Sequence, residues 1–269
     1  MNPLVSVIVP TYNSEQFLEK CLASIRAQTH AHLELIVVDE QSNDHTMAIA
    51  QRYAHAIYSG GPERSIKRNI GIEKAQGDFV YVVDSDMELH PRVVEECVKI
   101  MADSLVGSVV TPEISQGEGF WAMCVAFDRA FRLQEKEPGI AEAARFFRRA
   151  DIRAAGGYDP TIVGAEDWDL HNRMKRFGRC GKGQSPIYHH EGRVSLYKRV
   201  RKKYYYSRAF REYIRRYPRM ATQQFSPFKL AYVKGYRDFL KHPILGMGVM
   251  ILKNAEAFAG FVGLIFQHS

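Results

Sequence analysis

The chain has 269 residues, 46% hydrophobic and 25% charged. Those values belong to a globular protein with a full core, in one large domain or one domain plus an appendage, and exclude a disordered or low-complexity chain. Four cysteines (Cys21, Cys97, Cys124, Cys180) lie far apart with no pair at metal-ligand spacing, so they read as reduced, structural thiols. The net charge of +7 is unevenly spread: from Gly192 to Lys241 fifteen Lys/Arg face two acids, Glu212 and Asp238, so that stretch carries +13 and the remainder −6. A basic patch of that density suits phosphates, whether of lipid head groups or of nucleic acid.

Asn2-Pro3 leads straight into a strand-like run with no basic flank or cleavage site, so the expectation is no signal peptide and a cytoplasmic location. Val5 to Pro10 is an almost continuous apolar run and reads as a buried strand. Asn13 with Gln16 three residues on resembles a helix start, and Leu18, Cys21, Leu22 and Ile25 share one helical face. Leu33 to Asp39 is a second strand, and Thr46, Ile49, Ala50 and Tyr53 mark a second helix. Asp44 reads as the N-cap of that helix. A third helix is expected from Pro62 to Gln76, ended by Gly77. Phe79 to Val83 is the next strand, and Val94, Cys97, Val98 and Met101 outline the helix after it. Strand and helix alternate over the first 110 residues, which predicts an α/β sandwich with a largely parallel sheet. No internal repeat appears.

In such sheets ligands bind beyond the carboxyl ends of the strands. Thr11-Tyr12-Asn13, Asp39-Glu40 and Asp84-Ser85-Asp86 all fall there, so one crevice would collect them. Asp84 and Asp86 are like charges one residue apart, and a divalent cation is their natural compensator. Magnesium and manganese accept one or two carboxylates together with substrate phosphates. By itself Asp-x-Asp is equally well a pair of solvated turn residues.

Taken in order, VSVIVPTYN, ELIVVDEQSND, RNIGIEKAQGDFVYVVDSDMEL and GGYDPTIVGAEDWDLHNRMKRFG resemble the family 2 glycosyltransferases over roughly residues 4–195. The resemblance implies a GT-A type nucleotide-sugar fold: a mixed sheet sandwiched by helices. It places Pro10, Thr11 and Tyr12 near the nucleoside, and Asp39 on the base. Where the family commonly reads Asp-Asp-Gly-Ser, this chain reads Asp39-Glu40-Gln41-Ser42, which removes a permissive backbone position. Arg68-Asn69 matches an Arg-Asn near the donor, with Lys67 and Arg64 as alternative cations beside the diphosphate. Asp84, Ser85 and Asp86 match the Asp-x-Asp motif, whose Mn2+ or Mg2+ stabilises the leaving nucleoside diphosphate.

Glu166-Asp167-Trp168-Asp169-Leu170 opens a helix with Leu170, Met174 and Phe177 on one face, between Gly164 and Gly178. Acids in a first turn also serve the helix dipole. The resemblance puts a Glu-Asp pair here, its Asp a general base, so Asp167 is expected to deprotonate the acceptor hydroxyl. It implies an inverting reaction, an α-linked donor giving a β-linked product. Gly157, Tyr158, Glu166 and Trp168 are the expected acceptor contacts, although a turn explains the glycines equally and Trp168 is as readily a packing residue. A histidine after the strand at Pro186–Tyr188 would complete the metal site, with His190 favoured over His189.

Lys198 to Tyr217 mixes many Lys/Arg with aromatics, and Tyr206, Phe210, Tyr213 and Tyr217 form one stripe at helical spacing. Such a helix suits an anionic membrane surface, or packs its stripe on the catalytic domain. No RNA-binding motif accompanies the patch. From Pro243 two apolar pieces flank Lys253 and Glu256, each about half of the roughly 20 residues a span needs. An interfacial or re-entrant helix is therefore expected, with Lys253 and Glu256 close enough to pair. The expected organisation is a catalytic domain, 1–197 (nucleotide-sugar half 1–110, acceptor half 111–197), and a helical extension, 198–269, holding the enzyme at the inner face of the plasma membrane. The expected reaction moves a sugar, from a UDP-sugar first, to a lipid-linked or surface-glycan hydroxyl. Alternatives are a sugar-nucleotide-forming nucleotidyltransferase, which would want a glycine-rich phosphate loop where Thr11-Tyr12-Asn13-Ser14 stands, and a non-catalytic nucleotide-sugar-binding protein.

Overall fold

The computed structural model describes residues 2–133, 142–225 and 236–266, without the side chains at 132, 208–211, 223–225, 236 and 266. The elements are β1 (Val5–Thr11), α1 (Glu15–Arg26), β2 (Leu33–Asp39), α2 (Thr46–Tyr53), β3 (Ala56–Ser59), α3 (Arg64–Lys74), β4 (Phe79–Val82), β5 (Met87–Leu89), α4 (Val93–Met101), β6 (Val106–Val110) and β7 (Glu113–Glu118). They continue with α5 (Phe120–Leu133), β8 (Phe146–Arg148), α6 (Arg149–Ala154), α7 (Glu166–Met174), β9 (Arg179–Lys182), β10 (Ile187–Arg193), α8 (Leu196–Arg216), α9 (Pro218–Phe225), α10 (Tyr236–Lys241) and α11 (Pro243–Phe266). Two compact units result: Met1–Glu113 with Glu142–Pro160 and Glu166–His190, and Ile114–Ala141 with Thr161–Ala165 and Glu191–Ser269.

The first unit is built on a seven-stranded sheet of order β3-β2-β1-β4-β8-β6-β9. β3, β2, β1 and β4 run parallel, as the strand–helix alternation predicts. β8 enters antiparallel between β4 and β6, which makes the whole sheet mixed. The near-continuous apolar run of β1 follows from burial on both faces. Val5, Val7 and Val9 join a core with Leu18, Leu22 and Val94, while Ile8 joins the opposite core with Ile72, Leu170 and Met174. Because β1 and β2 pair in register, Thr11 lies directly opposite Asp39, and the carboxyl ends of both strands open on one edge.

Several boundaries differ from the sequence reading. The first helix begins at Glu15 with Ser14 at its N-cap, because Asn13 takes a left-handed φ of 46° and its side chain accepts the Asn43 N–H instead. The third runs over Arg64–Lys74, shorter at both ends than expected. β3 carried no readable pattern in its four residues. The N-cap of α2 is His45 and not Asp44, which lies one residue earlier and accepts Thr46 N–H at 2.9 Å through one carboxylate oxygen and Glu15 N–H at 3.2 Å through the other.

In the second unit, α5, α10 and α11 share an apolar core of Cys124, Val125, Val249 and Leu252 with Phe239 and Leu245 against it. The two apolar pieces after Pro243 form one continuous helix, α11. Lys253 bonds the buried Asp128 of α5 at 2.8 Å and lies 3.5 Å from Glu256, which in turn bonds Arg199 of α8 at 2.8 Å. The expected aromatic stripe of α8 turns inward: Tyr213 is fully buried and Tyr206 packs on Gly164. The side chain of Phe210 lies outside the described residues. Among the described side chains of α8 the exposed aromatics are Tyr197 and Tyr205, on other helical faces.

Candidate functional site

All the acids and cations of the site belong to the first unit. α3 packs so closely on β1 that a Cβ at Gly71 would run into Ile8 Cγ2. The same inward face carries Ser65, Arg68 and Ile72, so the fold buries a guanidinium completely. A buried charge persists only when paired and hydrogen-bonded. Arg68 donates to Asp84 Oδ1 at 2.6 Å and to Asp167 Oδ1 at 2.9 Å, with Glu166 at 3.5 Å. Its cationic face lies 4.9 Å from the Tyr158 ring centroid. One side chain thus ties the end of β4 to the first turn of α7, two places 83 residues apart that the sequence reading had joined only through resemblance.

Asp84 is held from its other side by Arg145, whose Nη2 lies 3.2 Å from Oδ2. Burial alone would raise the Asp84 carboxyl, but Arg68, then Arg145 and Arg64, hold it well below the usual carboxylate range. Arg145 also donates to Glu113 at 3.0 Å, and Glu113 lies 3.8 Å from His189 Nδ1. His189 Nε2 reaches Asp86 Oδ2 at 3.1 Å. A chain of alternating charge therefore runs from Asp167 through Arg68, Asp84, Arg145, Glu113 and His189 to Asp86. Arg145 and Glu113 carry no expectation from the sequence, and His189 stands there as the second choice to His190. The available signal was a lone arginine between Ala144 and Phe146 in an otherwise apolar run.

The histidine expected beside Asp86 was His190, and the structure brings His189 there instead. Alternation along β10 turns the two rings to opposite faces. The His190 backbone N–H pairs with Asp86 O, while its ring bonds Glu88 at 2.8 Å and stacks on Phe17. Burial would lower His189, yet hydrogen bonds to Asp86 and Glu113 raise it to about 10. Among the described residues no three His, Cys, Asp or Glu side chains converge into a ready-made metal cage. Asp86 Oδ1 is buried without a partner, and Asp84 is committed to two guanidiniums. Asp86 fits an ion that draws its remaining ligands from substrate phosphates, as magnesium and manganese do, and His189 can join it only by giving up the proton it shares with Asp86 and Glu113.

The residues expected on the nucleoside side gather at the β1–β2 edge. Buried Asp39 accepts the Thr11 hydroxyl at 2.7 Å, and the Ser42 hydroxyl and N–H at 2.6 and 2.8 Å. The chain reaches Ser42 by turning through Gln41 at φ 53°. Pro10 is buried in β1, and Tyr12 is 56% exposed at the edge. Lys67 is spent on Glu40 and lies 5.8 Å from the Tyr12 ring. Ser85 donates to Ser14 at 3.0 Å. Asn69 pins the Gly156–Gly157 turn by accepting Tyr158 N–H at 2.8 Å and donating to its carbonyl at 2.7 Å. Tyr158 is 1% exposed and braces Arg68 from within the core. Glu166 is buried against Arg64 at 2.9 Å, its carboxyl raised by burial and by Asp167. Asp167 and Trp168 are half-buried beside it.

The family model for glycosyl transferase family 2 matches residues 6–155. A Bacillus subtilis protein named as a teichuronic acid biosynthesis glycosyltransferase, TuaG, is 35% identical over 108 residues, 38% of this chain and 43% of that one. The matches span less than half the length of the curated relatives. Among solved structures, the mannosyltransferase PcManGT from Pyrobaculum calidifontis, in complex with GDP-Man and Mn2+, superposes with a TM-score of 0.70 at 21% identity, covering 99% of this chain and 88% of that one. Staphylococcus aureus TarS 1-349 in complex with UDP-GlcNAc gives 0.53 at 17% identity, covering 96% and 90%. At these identities the likeness establishes the fold, an α/β mixed sheet of the GT-A type with helices.

Proposed function

We propose, from the premise that the chain belongs to glycosyl transferase family 2, that it is an inverting glycosyltransferase taking its sugar from a nucleotide-diphospho-sugar. The observation that carries this reading is Arg68, buried and bonded to both Asp84 and Asp167. It gathers a donor-side acid and an acceptor-side acid about one guanidinium. Asp167, half-buried at the start of α7, takes the proton of the acceptor hydroxyl as that oxygen attacks the anomeric carbon. Displacement from the face opposite the leaving group inverts the centre. Arg68 and Arg145 fix the Asp84 carboxylate, and Asp39 with Thr11, Tyr12 and Pro10 forms the nucleoside end.

Asp86 and His189 would hold Mn2+ or Mg2+, which supplies charge neutralisation for the departing diphosphate when bound. Metal use is supported by the Mn2+ complex of PcManGT, and donor type by the GDP-Man and UDP-GlcNAc complexes of the two solved structures. A UDP-sugar is the first donor to try. The acceptor is a saccharide or lipid-linked hydroxyl at an anionic membrane surface. The basic stretch from Gly192 to Lys241 supports that reading, as does α11, long and apolar enough over Pro243–Ile265 to meet a bilayer.

The test is nucleoside diphosphate release from UDP-, GDP- and dTDP-sugars with manganese, magnesium or EDTA. Release from one donor is expected, abolished by EDTA and lowered about 10²–10⁴-fold in Asp167→Asn. No release from any donor, together with no thermal stabilisation by any nucleoside diphosphate plus metal, would sink the reading.

A further inference from the structure

α11 spans 24 residues, about 36 Å of helix. Its two charged residues face inward, Lys253 onto Asp128 and Glu256 onto Arg199. Its outward face carries Ile244, Met247, Met250, Ile251, Phe258, Phe261 and Ile265, each between 44% and 71% exposed. At 3.6 residues per turn these seven fall within an arc of about 120°. Asn254 is the one polar side chain exposed in that arc, and its amide is turned back onto Met250 O at 2.8 Å.

An apolar face this long and wide needs a cover. The arc is that of a helix lying on a broad apolar surface, wider than the seam offered to one partner helix. Charge separates the remaining occupants. The same unit contains the +13 stretch from Gly192 to Lys241, with Lys198, Arg201, Lys202, Arg237 and Lys241 exposed. A second copy docked on α11 would bring two such stretches together, which like-charge repulsion opposes. An anionic lipid surface accepts both the apolar face and the positive charge.

Composition alone allows α11 to cross the bilayer. Its internal contacts do not. A Cβ at Gly263 would run into Ser207 Oγ and one at Gly260 would fall 4.0 Å from Lys203 Cγ, so the C-terminal half of α11 lies hard against α8. α8 carries nine Lys/Arg in 21 residues. A crossing α11 would draw α8 into hydrocarbon or break the Arg199–Glu256 and Lys253–Asp128 pairs, leaving charges unpaired at mid-bilayer.

We infer that α11 lies in the plane of an anionic bilayer leaflet, its Ile244-to-Ile265 face sunk into the lipid and its charged face bound to the protein. The inference rests on the membrane reading above and adds the orientation. The test floats the full chain on vesicles of phosphatidylglycerol and phosphatidylcholine, and on phosphatidylcholine alone. An environment-sensitive dye is placed in turn at Ile244→Cys, Ile251→Cys, Phe258→Cys and Ile265→Cys, with Cys180→Ser as background because the other cysteines are buried. Nitroxide lipids then report depth. Expected are at least tenfold stronger flotation on the anionic vesicles, equal shallow depth at all four sites, and loss of flotation in Ile251→Glu/Phe258→Glu with stabilisation by nucleoside diphosphate and manganese intact. Flotation with a depth maximum at the helix centre would overturn the in-plane orientation and leave the membrane reading standing. Absence of flotation would overturn both. A wild-type dimer that the double variant converts to monomer would assign the face to a second copy.

Discussion

Gln41 is the residue where local strain and site geometry meet. It adopts φ 53°, the left-handed region, so that Ser42 can return its N–H and hydroxyl to Asp39. A side chain there costs about 1–2 kcal/mol, against about 0.5–1 kcal/mol of chain entropy that glycine would lose. Gln41→Gly is therefore expected to stabilise the protein by about 0.5–1 kcal/mol, read as a higher denaturant midpoint at unchanged m-value. A lower midpoint would mean that the Gln41 side chain contributes more than its backbone strain removes. The departure from glycine was legible in the sequence, because a permissive position was missing from a turn that had to be tight. Arg145 and Glu113 were not legible in the same way. Arg145 follows Ala144 and precedes a strand of three residues, too short to show a period, and its partners come from β7 and from the end of β4. Only the sheet order, with β8 inserted beside β4, brings it to Asp84.

At the scale of elements, α3 sets the position of Arg68. Ile8, Gly71 and Ile72 fix its distance from the sheet, and Gly71 is small because the Ile8 side chain already fills the place of a Cβ. Gly71→Ala would raise intrinsic helix propensity yet force α3 away from β1. Overpacking of this kind costs about 1–3 kcal/mol, more than the roughly 1 kcal/mol of propensity gained. The expected result is a net loss of stability together with weaker nucleotide binding, since Arg68 moves with its helix. A denaturation midpoint equal to or above wild type would show that Ile8 rotates aside. The strands of the β1–β2–β4 core were readable from sequence because burial on both faces writes an unbroken apolar run. β9, reading Arg-Cys-Gly-Lys, has no such run, and sheet pairing with β6 alone makes it a strand. The helical face of α7 was equally plain, Leu170 and Met174 being buried as the spacing requires. For α8 the period was right, and of the two covers it allowed, lipid or protein, the stripe takes protein. Periodicity finds a face and does not say whether protein or lipid meets it, so the Tyr206–Tyr213 stripe went inward while the less regular face of α11 stayed open.

At the scale of the whole molecule, two histidines in the first unit oppose one another in how stability depends on pH. His171 of α7 is 1% exposed and accepts the Ala144 N–H through Nδ1. Burial, then Lys175, lowers it from 6.5 to about 4. The unfolded chain binds a proton that the native state refuses, so its contribution is complete above pH 6.5 and is lost as pH falls from 6.5 to about 4. His55, lowered by burial and Arg26, adds to the same limb. His189 runs the other way. With its value raised from 6.5 to about 10 by Asp86 and Glu113 against burial, its contribution is complete below pH 6.5 and fades as pH rises towards 10. Asp84, held well below 3.8, keeps its contribution through this range and surrenders it only in stronger acid. The metal-free protein in EDTA should then be most stable near pH 6.5, falling off on each side by at most about 1.4 kcal/mol per pH unit for each proton. His171→Asn retains an acceptor for Ala144 and cannot take up the proton, so it should flatten the limb between pH 6.5 and 4 while leaving the alkaline limb in place. His189→Asn should flatten the alkaline limb from pH 6.5 to about 9 alone, since above 9.0 the four thiols, all raised by burial, give a fall of their own. Chemical denaturation midpoints from pH 4 to 10 decide it: a curve that rises or falls monotonically through pH 6.5, or an acid limb unchanged in His171→Asn, would show that other groups govern the proton balance of folding.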